Sequence, residues 1–499
     1  MSKNNIISES FSGVRGIYGQ GIDTEYARRY ARVFVLVIKQ NKNIKDKKFS
    51  VVIGADTRKS SSELLDVFVD EFISAGFTVY DLGFTTTPVA EFAVRYFDAS
   101  GGVMITASHN EPEFNGWKLL DSSGSIVSAQ MMDDIITKVH NWIPDHMPTE
   151  ASAQAGVRDD IRFFDKLEEK GKVIESQSEI ISAYIKNILT ILGDEAVQLI
   201  RNKKYAIVAD PNGSAVWEVL QMICKELDIQ VKGINTQSGV FNRAIEPNYE
   251  TLTGLVDIVA DSNAQFGCGF DCDADRVEIV LSGNSEYAQK NGCMISGQYV
   301  LALGVDSVLS NLEKGQKVVI NFATSNLVNK IAEKFSAKII EVDVGEINVV
   351  EAMRSYSAAV GGEGSSSGVI IRGTTCRDGI IVILLILKIM AERGQSLDEI
   401  LQQYPVYWEE RLKVSCKADE VVDLRRNILQ YFQDNNIKTV TADSDTSGVK
   451  AYLENNIWIF FRASKTEPGV FRIIVNGPDK QGVEENMEKA QAIFNQLKN

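Results

Sequence analysis

Short runs of β-branched and apolar residues alternate along this chain with segments whose apolar positions recur every three to four residues. Ser50-Val-Val-Ile-Gly-Ala-Asp56, Tyr205-Ala-Ile-Val-Ala-Asp210 and Lys317-Val-Val-Ile-Asn321 each read as a buried strand. A polar turn follows each run, and then an amphipathic helix: about 62–75, a segment through Leu227, and about 325–335. Strands alternating with helices of this length predict α/β units with parallel strands. The copies begin about 110 to 155 residues apart, the spacing of repeated domains rather than of solenoid repeats. Upstream, Asp23 or Thr24 can cap a helix whose face is Tyr26, Tyr30, Val33, Phe34 and Val37. Residues 142–171 hold Pro144, Pro148, Gly156 and dense charge and read as an exposed extension or linker. A helix over about 179–192 leads into the second unit. From about residue 405 the pattern changes. Strands near 411–416, 457–462 and 471–475, with helices near 424–434 and 483–497, predict a distinct α+β domain.

At 499 residues the chain is too long for a single core and predicts three or four domains. The net charge of −15 argues against a general nucleic-acid surface or an anionic membrane as partner, but leaves room for a local basic pocket. Six cysteines show neither a C-x-x-C pair nor zinc spacing, so they read as reduced thiols of a cytoplasmic protein. The N-terminal residues carry no apolar signal region. The longest apolar stretch, 379–390, is interrupted by Lys388 and is too short to span a bilayer.

Candidate chemistry begins at Thr106-Ala107-Ser108-His109-Asn110. The buried run Val103–Ile105 delivers a serine onto a polar loop, with Gly116 and Lys118 close behind. Without a G-x-S-x-G elbow, Ser108 is a nucleophile or phosphate carrier of another kind. Asp271, Asp273 and Asp275 follow a second strand-like run at i, i+2 and i+4, with Arg276 next. Alternate carboxylates in a turn can converge on one hard cation, and like charges this close repel without one. An EF-hand is excluded, because its glycine and glutamate positions hold Arg276 and Ser282. A D-x-D aspartyl nucleophile and a solvated acidic loop are the rivals. Gly361-Gly362-Glu363-Gly364-Ser365 offers acceptors and donors for hydroxyls, or is a surface turn. Arg462-Ala463-Ser464-Lys465-Thr466 follows a strand and suits a phosphate, or is an ordinary turn. Arg15, in Ser12-Gly13-Val14-Arg15-Gly16, and Arg58, in Asp56-Thr57-Arg58-Lys59-Ser60, lie in polar loops where a lone arginine is usually solvated.

In this order, along nearly the whole chain, these motifs resemble those of the α-D-phosphohexomutase superfamily of phosphomannomutases, phosphoglucomutases and phosphoglucosamine mutases. The resemblance implies three related α/β domains with mixed sheets and a C-terminal α+β domain, heart-shaped around a central cleft. Their bounds would be 1–175, 176–295, 296–403 and 404–499. It implies a phosphate carrier at Ser108 with His109 in support, a general acid or base at Lys118 or Arg15, and Mg²⁺ on Ser108, Asp271, Asp273 and Asp275. It assigns sugar phosphate to Arg276, Glu363, Ser365, Arg462, Ser464 and Thr466, with Gly345 in support. The chain departs from the family in three places. No histidine follows the G-E motif; the usual T-x-V-G reads Val342-Asp343-Val344-Gly345; and Arg472 lies one residue further from E-P than usual. The activity implied is exchange of phosphate between the 1- and 6-positions of a hexose through a bisphosphate, by a cytoplasmic monomer or homodimer. Which hexose stays open among glucose, mannose and glucosamine. A catalytically quiet sugar-phosphate-binding homologue and a metal-dependent phosphatase are the other classes. In the mutase reading, nearby Arg276 helps lower the proton affinity of Lys118.

Overall fold

The three β-branched runs become the inner strands of three sheets in the computed structural model. The residues described are 7–41, 49–142, 170–364, 367–444, 446–464 and 469–498. Most of the stretch read as an extension, residues 143–169, lies outside them. The chain forms two compact units, Met1–Ser282 with Thr374–Ile380, and Gly283–Gly373 with Ile381–Asn499.

In the first unit, a seven-stranded sheet holds β1 (Ile7–Ser10), β2 (Gly13–Ile17), β3 (Ser50–Ala55), β4 (Thr78–Phe84), β5 (Gly102–Ile105), β6 (Phe114–Leu120) and β7 (Lys172–Glu175). Its order is β1-β2-β6-β5-β3-β4-β7. β3 pairs parallel with β4 and β5, whereas β6 runs antiparallel to both β5 and β2. A second sheet contains β8 (Ala206–Asp210), β9 (Gln230–Gly233), β10 (Phe266–Phe270) and β11 (Val277–Val280). There β8 pairs parallel with β9 and β10, and β11 is antiparallel to β10.

In the second unit, β12 (Met294–Ile295) precedes β13 (Lys317–Asn321), β14 (Lys338–Val342), β15 (Val360–Gly362) and β16 (Val369–Ile371). β13 is parallel to β14 and β15, and β16 is antiparallel to β15. The pairing scheme of the three repeats is therefore the same, an inner strand parallel to the next two and a fourth strand turning back. The C-terminal sheet differs. β17 (Trp408–Ser415), β18 (Lys438–Thr441), β19 (Val449–Tyr452), β20 (Trp458–Ala463) and β21 (Val470–Gly477) pair antiparallel throughout, in the order β17-β21-β20-β19-β18.

The helices follow their sequence signals. Asp23 accepts from the amide of Tyr26 at 2.7 Å and starts helix Thr24–Gln40. Tyr30, Val33 and Phe34 of that helix are buried, and Tyr26 and Val37 pack at the edge of the same core. Its rings meet Trp117 of β6, with the Tyr30 centroid at 5.1 Å. Ser325 caps Asn326–Lys334 in the third repeat. Among the strands that the pattern did not show are β1, β2 and β6. Arg15 thus stands on a strand, not in the polar loop expected of it, and Lys118, close behind the serine's loop, stands on a strand as well. Polar and glycine-rich stretches such as these become strands only because the neighbouring backbone pairs with them.

Candidate active site

The C-terminal end of the third strand in each repeat, where the chain turns back into an antiparallel fourth strand, carries a candidate loop. In the first unit these are residues 106–113 between β5 and β6, and residues 271–276 between β10 and β11. Ser108 is buried, with φ of 52°, in the left-handed region that costs a side-chain-bearing residue about 1–2 kcal/mol. Its amide donates to Thr106 Oγ1 at 2.8 Å. Its hydroxyl stands 3.4 Å from Asp271 Oδ2 and 3.5 Å from His109 Nδ1.

A second left-handed residue, Ala274 at φ 56°, turns the aspartate loop so that alternate carboxylates face one point. Ligand oxygens of Asp271, Asp273 and Asp275 lie within 4.8 Å of one another, and all three residues are buried. Asp273 Oδ2 accepts from Thr87 Oγ1 at 2.6 Å and Lys118 Nζ at 2.7 Å. Asp275 Oδ2 accepts from Lys118 Nζ at 3.1 Å and Arg377 Nη2 at 3.3 Å. The other oxygens of these two, Asp273 Oδ1 and Asp275 Oδ1, are buried with no hydrogen-bond partner. Burial, and then the charges of Asp275 and Asp273, push the Asp271 carboxyl well above the usual carboxylate range. Burial also opposes ionisation of Asp275, but Lys118, Arg377 and Arg276 outweigh it and hold that carboxyl below the range. Unpartnered buried carboxylate oxygens converging with a third carboxylate are a donor set for one hard divalent cation, so these residues fit a metal site.

Strand geometry explains why the cations gather here. Arg15 of β2 sits directly opposite Gly116 of β6, so its side chain shares a sheet face with Gly116 and, two residues on, Lys118. A Cβ at Gly116 would stand 1.8 Å from the carbonyl oxygen of Val14, which is why glycine occupies that register position. Trp117 points the opposite way, into the apolar core. Burial, and then Arg276 against the pull of Asp273, hold the Arg15 guanidinium below its ordinary value. Burial and the charges of Arg276 and Arg15 lower His109 to about 2, so its imidazole is neutral at physiological pH. Arg276 itself donates to Glu246 Oε1 at 3.3 Å and approaches Asp275 Oδ1 at 3.8 Å.

Arg58 corrects the expectation of a solvated arginine, because its side chain is fully buried. Nε donates to Asp56 Oδ2 at 3.0 Å, Nη1 to Glu111 O at 2.7 Å, and Nη2 to Ser108 O and Asn110 O at 2.7 and 2.6 Å. Thr87 and Arg377 also escaped the sequence reading. Each lies far in the chain from the aspartates it contacts. The Cys376-Arg377-Asp378-Gly379 run was the available signal for Arg377.

The second unit holds the third loop, between β15 and β16. Glu363 is buried, and its Oε1 accepts from Asn321 Nδ2 at 2.7 Å and from the Gly345 amide at 2.8 Å. Gly345 has φ of 131°, a conformation open to glycine, and starts helix Glu346–Tyr356. Arg462 of β20 is in register with Arg472 of β21, so the two arginines share a face. Burial, and then Arg472, lower Arg462 to about 10 in spite of Glu363 and Asp343. The Ser464 amide donates to Val470 O at 2.8 Å and closes the hairpin below these arginines. Ser365 and Thr466 lie outside the described residues.

Comparison with known proteins gives this arrangement its class. Residues 9–144, 182–283 and 296–407 match phosphoglucomutase/phosphomannomutase alpha/beta/alpha domains I, II and III respectively. A phosphoglucomutase/phosphomannomutase of Thermococcus kodakarensis is 30% identical over 478 residues, covering 95% of this chain and 96% of the relative. A phosphoglucosamine/phosphogalactosamine mutase of Sulfurisphaera tokodaii is 26% identical over 94% of each chain. A phosphoglucomutase/phosphomannomutase family protein from Burkholderia thailandensis has a similar fold, with a TM-score of 0.77 at 19% identity over 98% of this chain and 97% of that one. The family matches and the Thermococcus relative define a phosphate-transferring isomerase of sugars. The chain belongs to the α-D-phosphohexomutase superfamily, and it is an intramolecular phosphotransferase. Among the described residues no helix is long and apolar enough to cross a membrane.

Proposed function

We propose that this phosphohexomutase interconverts the 1- and 6-phosphates of glucose and mannose through a phosphorylated Ser108. The observation that carries the reading is the Ser108 hydroxyl at 3.4 Å from Asp271, beside carboxylates that share Lys118. Asp271, Asp273 and Asp275, together with a phosphate oxygen on Ser108, would hold Mg²⁺, which neutralises phosphoryl charge when bound.

In the forward half, a sugar hydroxyl oxygen forms a bond to phosphorus while the bond from phosphorus to Ser108 Oγ breaks. The hydroxyl proton passes to Lys118 or Arg15. The resulting hexose bisphosphate turns around, Ser108 Oγ bonds to its other phosphorus as the bond from that phosphorus to the sugar oxygen breaks, and the proton returns from Lys118 or Arg15 to that oxygen, so the serine ends each cycle as it began. Arg276 orients the transferring end, Glu363 and Ser365 read sugar hydroxyls, and Arg462, Ser464 and Thr466 hold the distal phosphate. Two arginines side by side suit a dianion, since each alone leaves part of its charge unmatched. His109, being neutral, and Gly345 support these residues. Buried cysteines without disulfides suit a reducing cytoplasm.

A second reading takes a hexosamine phosphate as substrate. It is favoured by the name of the Sulfurisphaera relative. Coupled assays with glucose, mannose and glucosamine 1-phosphates separate the two. Turnover of glucose and mannose phosphates supports the first reading, and a preference for the glucosamine phosphate replaces it with the second. Release of inorganic phosphate without any isomer would sink both.

A further inference from the structure

We propose that two arginines outside the reacting set, Arg58 and Arg243, are matched positioning residues, each holding one reactive loop by its backbone. The proposal rests on the reading of Ser108 as the phosphate carrier. In both repeats of the first unit the inner strand ends in an aspartate, Asp56 after β3 and Asp210 at the end of β8. Each aspartate seats an arginine, with Arg58 Nε at 3.0 Å from Asp56 Oδ2 and Arg243 Nε at 2.8 Å from Asp210 Oδ2. Arg58 spends its remaining donors on main-chain carbonyls of the Ser108 loop, whereas Arg243 divides its own between its own segment, Ala244 O at 3.0 Å and Ile245 O at 3.3 Å, and two strand ends, Asp210 O at 3.3 Å and Phe270 O. Arg58 reaches Ser108, Asn110 and Glu111. Arg243 reaches Phe270 O at 2.8 Å, the last residue before Asp271.

Side chains that hold carbonyls leave the reactive groups free, and this is what a carrier loop requires. Ser108 must keep one backbone conformation whether or not it bears a phosphate. Arg58 ties its carbonyl to two others in the same loop, so the left-handed conformation is maintained independently of the ligand. A planar guanidinium has five donors in a fixed fork, whereas an ammonium is a point charge that cannot span the same acceptors. The arginine is therefore specific, and lysine at either position is the informative change.

The test compares wild type with Arg58→Lys and Arg243→Lys. Intact mass follows Ser108 phosphorylation by glucose 1,6-bisphosphate in Mg²⁺. Turnover uses the best of the three hexose 1-phosphates, and calorimetry measures Mg²⁺ affinity. Arg58→Lys is expected to slow phosphorylation and kcat by about 10²-fold, the scale of a loop misplaced by about 1 Å, with KM unchanged. Arg243→Lys is expected to weaken Mg²⁺ about tenfold or more. Unchanged kcat in Arg58→Lys, or an equal rise of KM with the fall of kcat, overturns the role of Arg58. Unchanged Mg²⁺ affinity in Arg243→Lys overturns that of Arg243. If Arg58→Lys does not fold, Asp56→Asn takes its place with the same expected split and the same overturning result. If Asp210→Asn must likewise replace Arg243→Lys, the Mg²⁺ measurement decides as before. Wild type that takes no phosphate on Ser108 overturns the underlying reading instead, which the wild-type mass reveals before any variant is compared.

Discussion

The hydroxyl of Ser108 stands 3.4 Å from Oδ2 of Asp271, although 163 positions separate them in the chain. The contact joins the reactive loops of two repeats, each at the end of an equivalent strand. Ser108→Ala removes only an oxygen from a loop whose backbone is held by Arg58 and Thr106. Mutase turnover is expected to fall by at least about 10³-fold, with the thermal unfolding midpoint nearly unchanged. Full turnover by Ser108→Ala with hexose 1-phosphate and bisphosphate supplied would overturn the phosphoserine role.

Metal binding to the buried carboxylates relieves their mutual repulsion. Adding Mg²⁺ to chelator-treated protein is expected to raise stability, by about 2.7 kcal/mol at a hundred times Kd. Asp273→Asn is expected to lose both the thermal shift and the activity. A thermal shift of wild-type size in Asp273→Asn would place the cation elsewhere.

Glu9 is the acid-sensitive point at the N-terminal edge. Burial opposes its ionisation, but hydrogen bonds from Tyr26 and Tyr30, and then His140, outweigh that and hold its carboxyl below the ordinary value. Tyr26 Oη and His140 Nε2 both lie at 2.6 Å. A depressed folded-state value means the stabilisation is present above the unfolded carboxylate pKa and is lost as pH falls through the folded value. Glu9→Gln is expected to cost about 1.5–3 kcal/mol near neutral pH. Its unfolding curve should converge on that of wild type in acid; a gap that stays constant down to low pH would contradict the assignment.

Within the second unit, Lys450 of β19 is buried and donates to Glu341 Oε1 of β14 at 2.5 Å, beside the rings of Trp458 and Tyr452. Lys450→Ala leaves a carboxylate without its cation and is expected to destabilise by about 3–5 kcal/mol. Lys450→Met with Glu341→Gln is expected to recover most of that in denaturant unfolding. A double variant as unstable as Lys450→Ala would overturn the stranded carboxylate as the cause.

Hydrophobic periodicity located the repeats because a buried strand must be apolar on both faces, as Val318–Ile320 and Ile207–Ala209 are. It could not show β2 or β6, where Arg15, Gly116 and Lys118 interrupt the apolar pattern. It misjudged Arg58 for a related reason. A buried arginine is tolerated only where carbonyls and a carboxylate surround it, and those of Ser108, Asn110 and Glu111 lie some 50 positions away in the chain.

The amino-acid order alone determined the three-fold repetition, the separate C-terminal domain, the serine and the aspartate triplet, since each depends on local spacing. Tertiary structure alone decided which cations meet those anions. Lys118 reaches Asp273 and Asp275 because β6 turns back beside β5, and Arg377 reaches Asp275 because residues 374–380 return to the first unit. Long-range pairing of charges costs nothing in local pattern and leaves no trace in it, so only the folded backbone brings the partners into view.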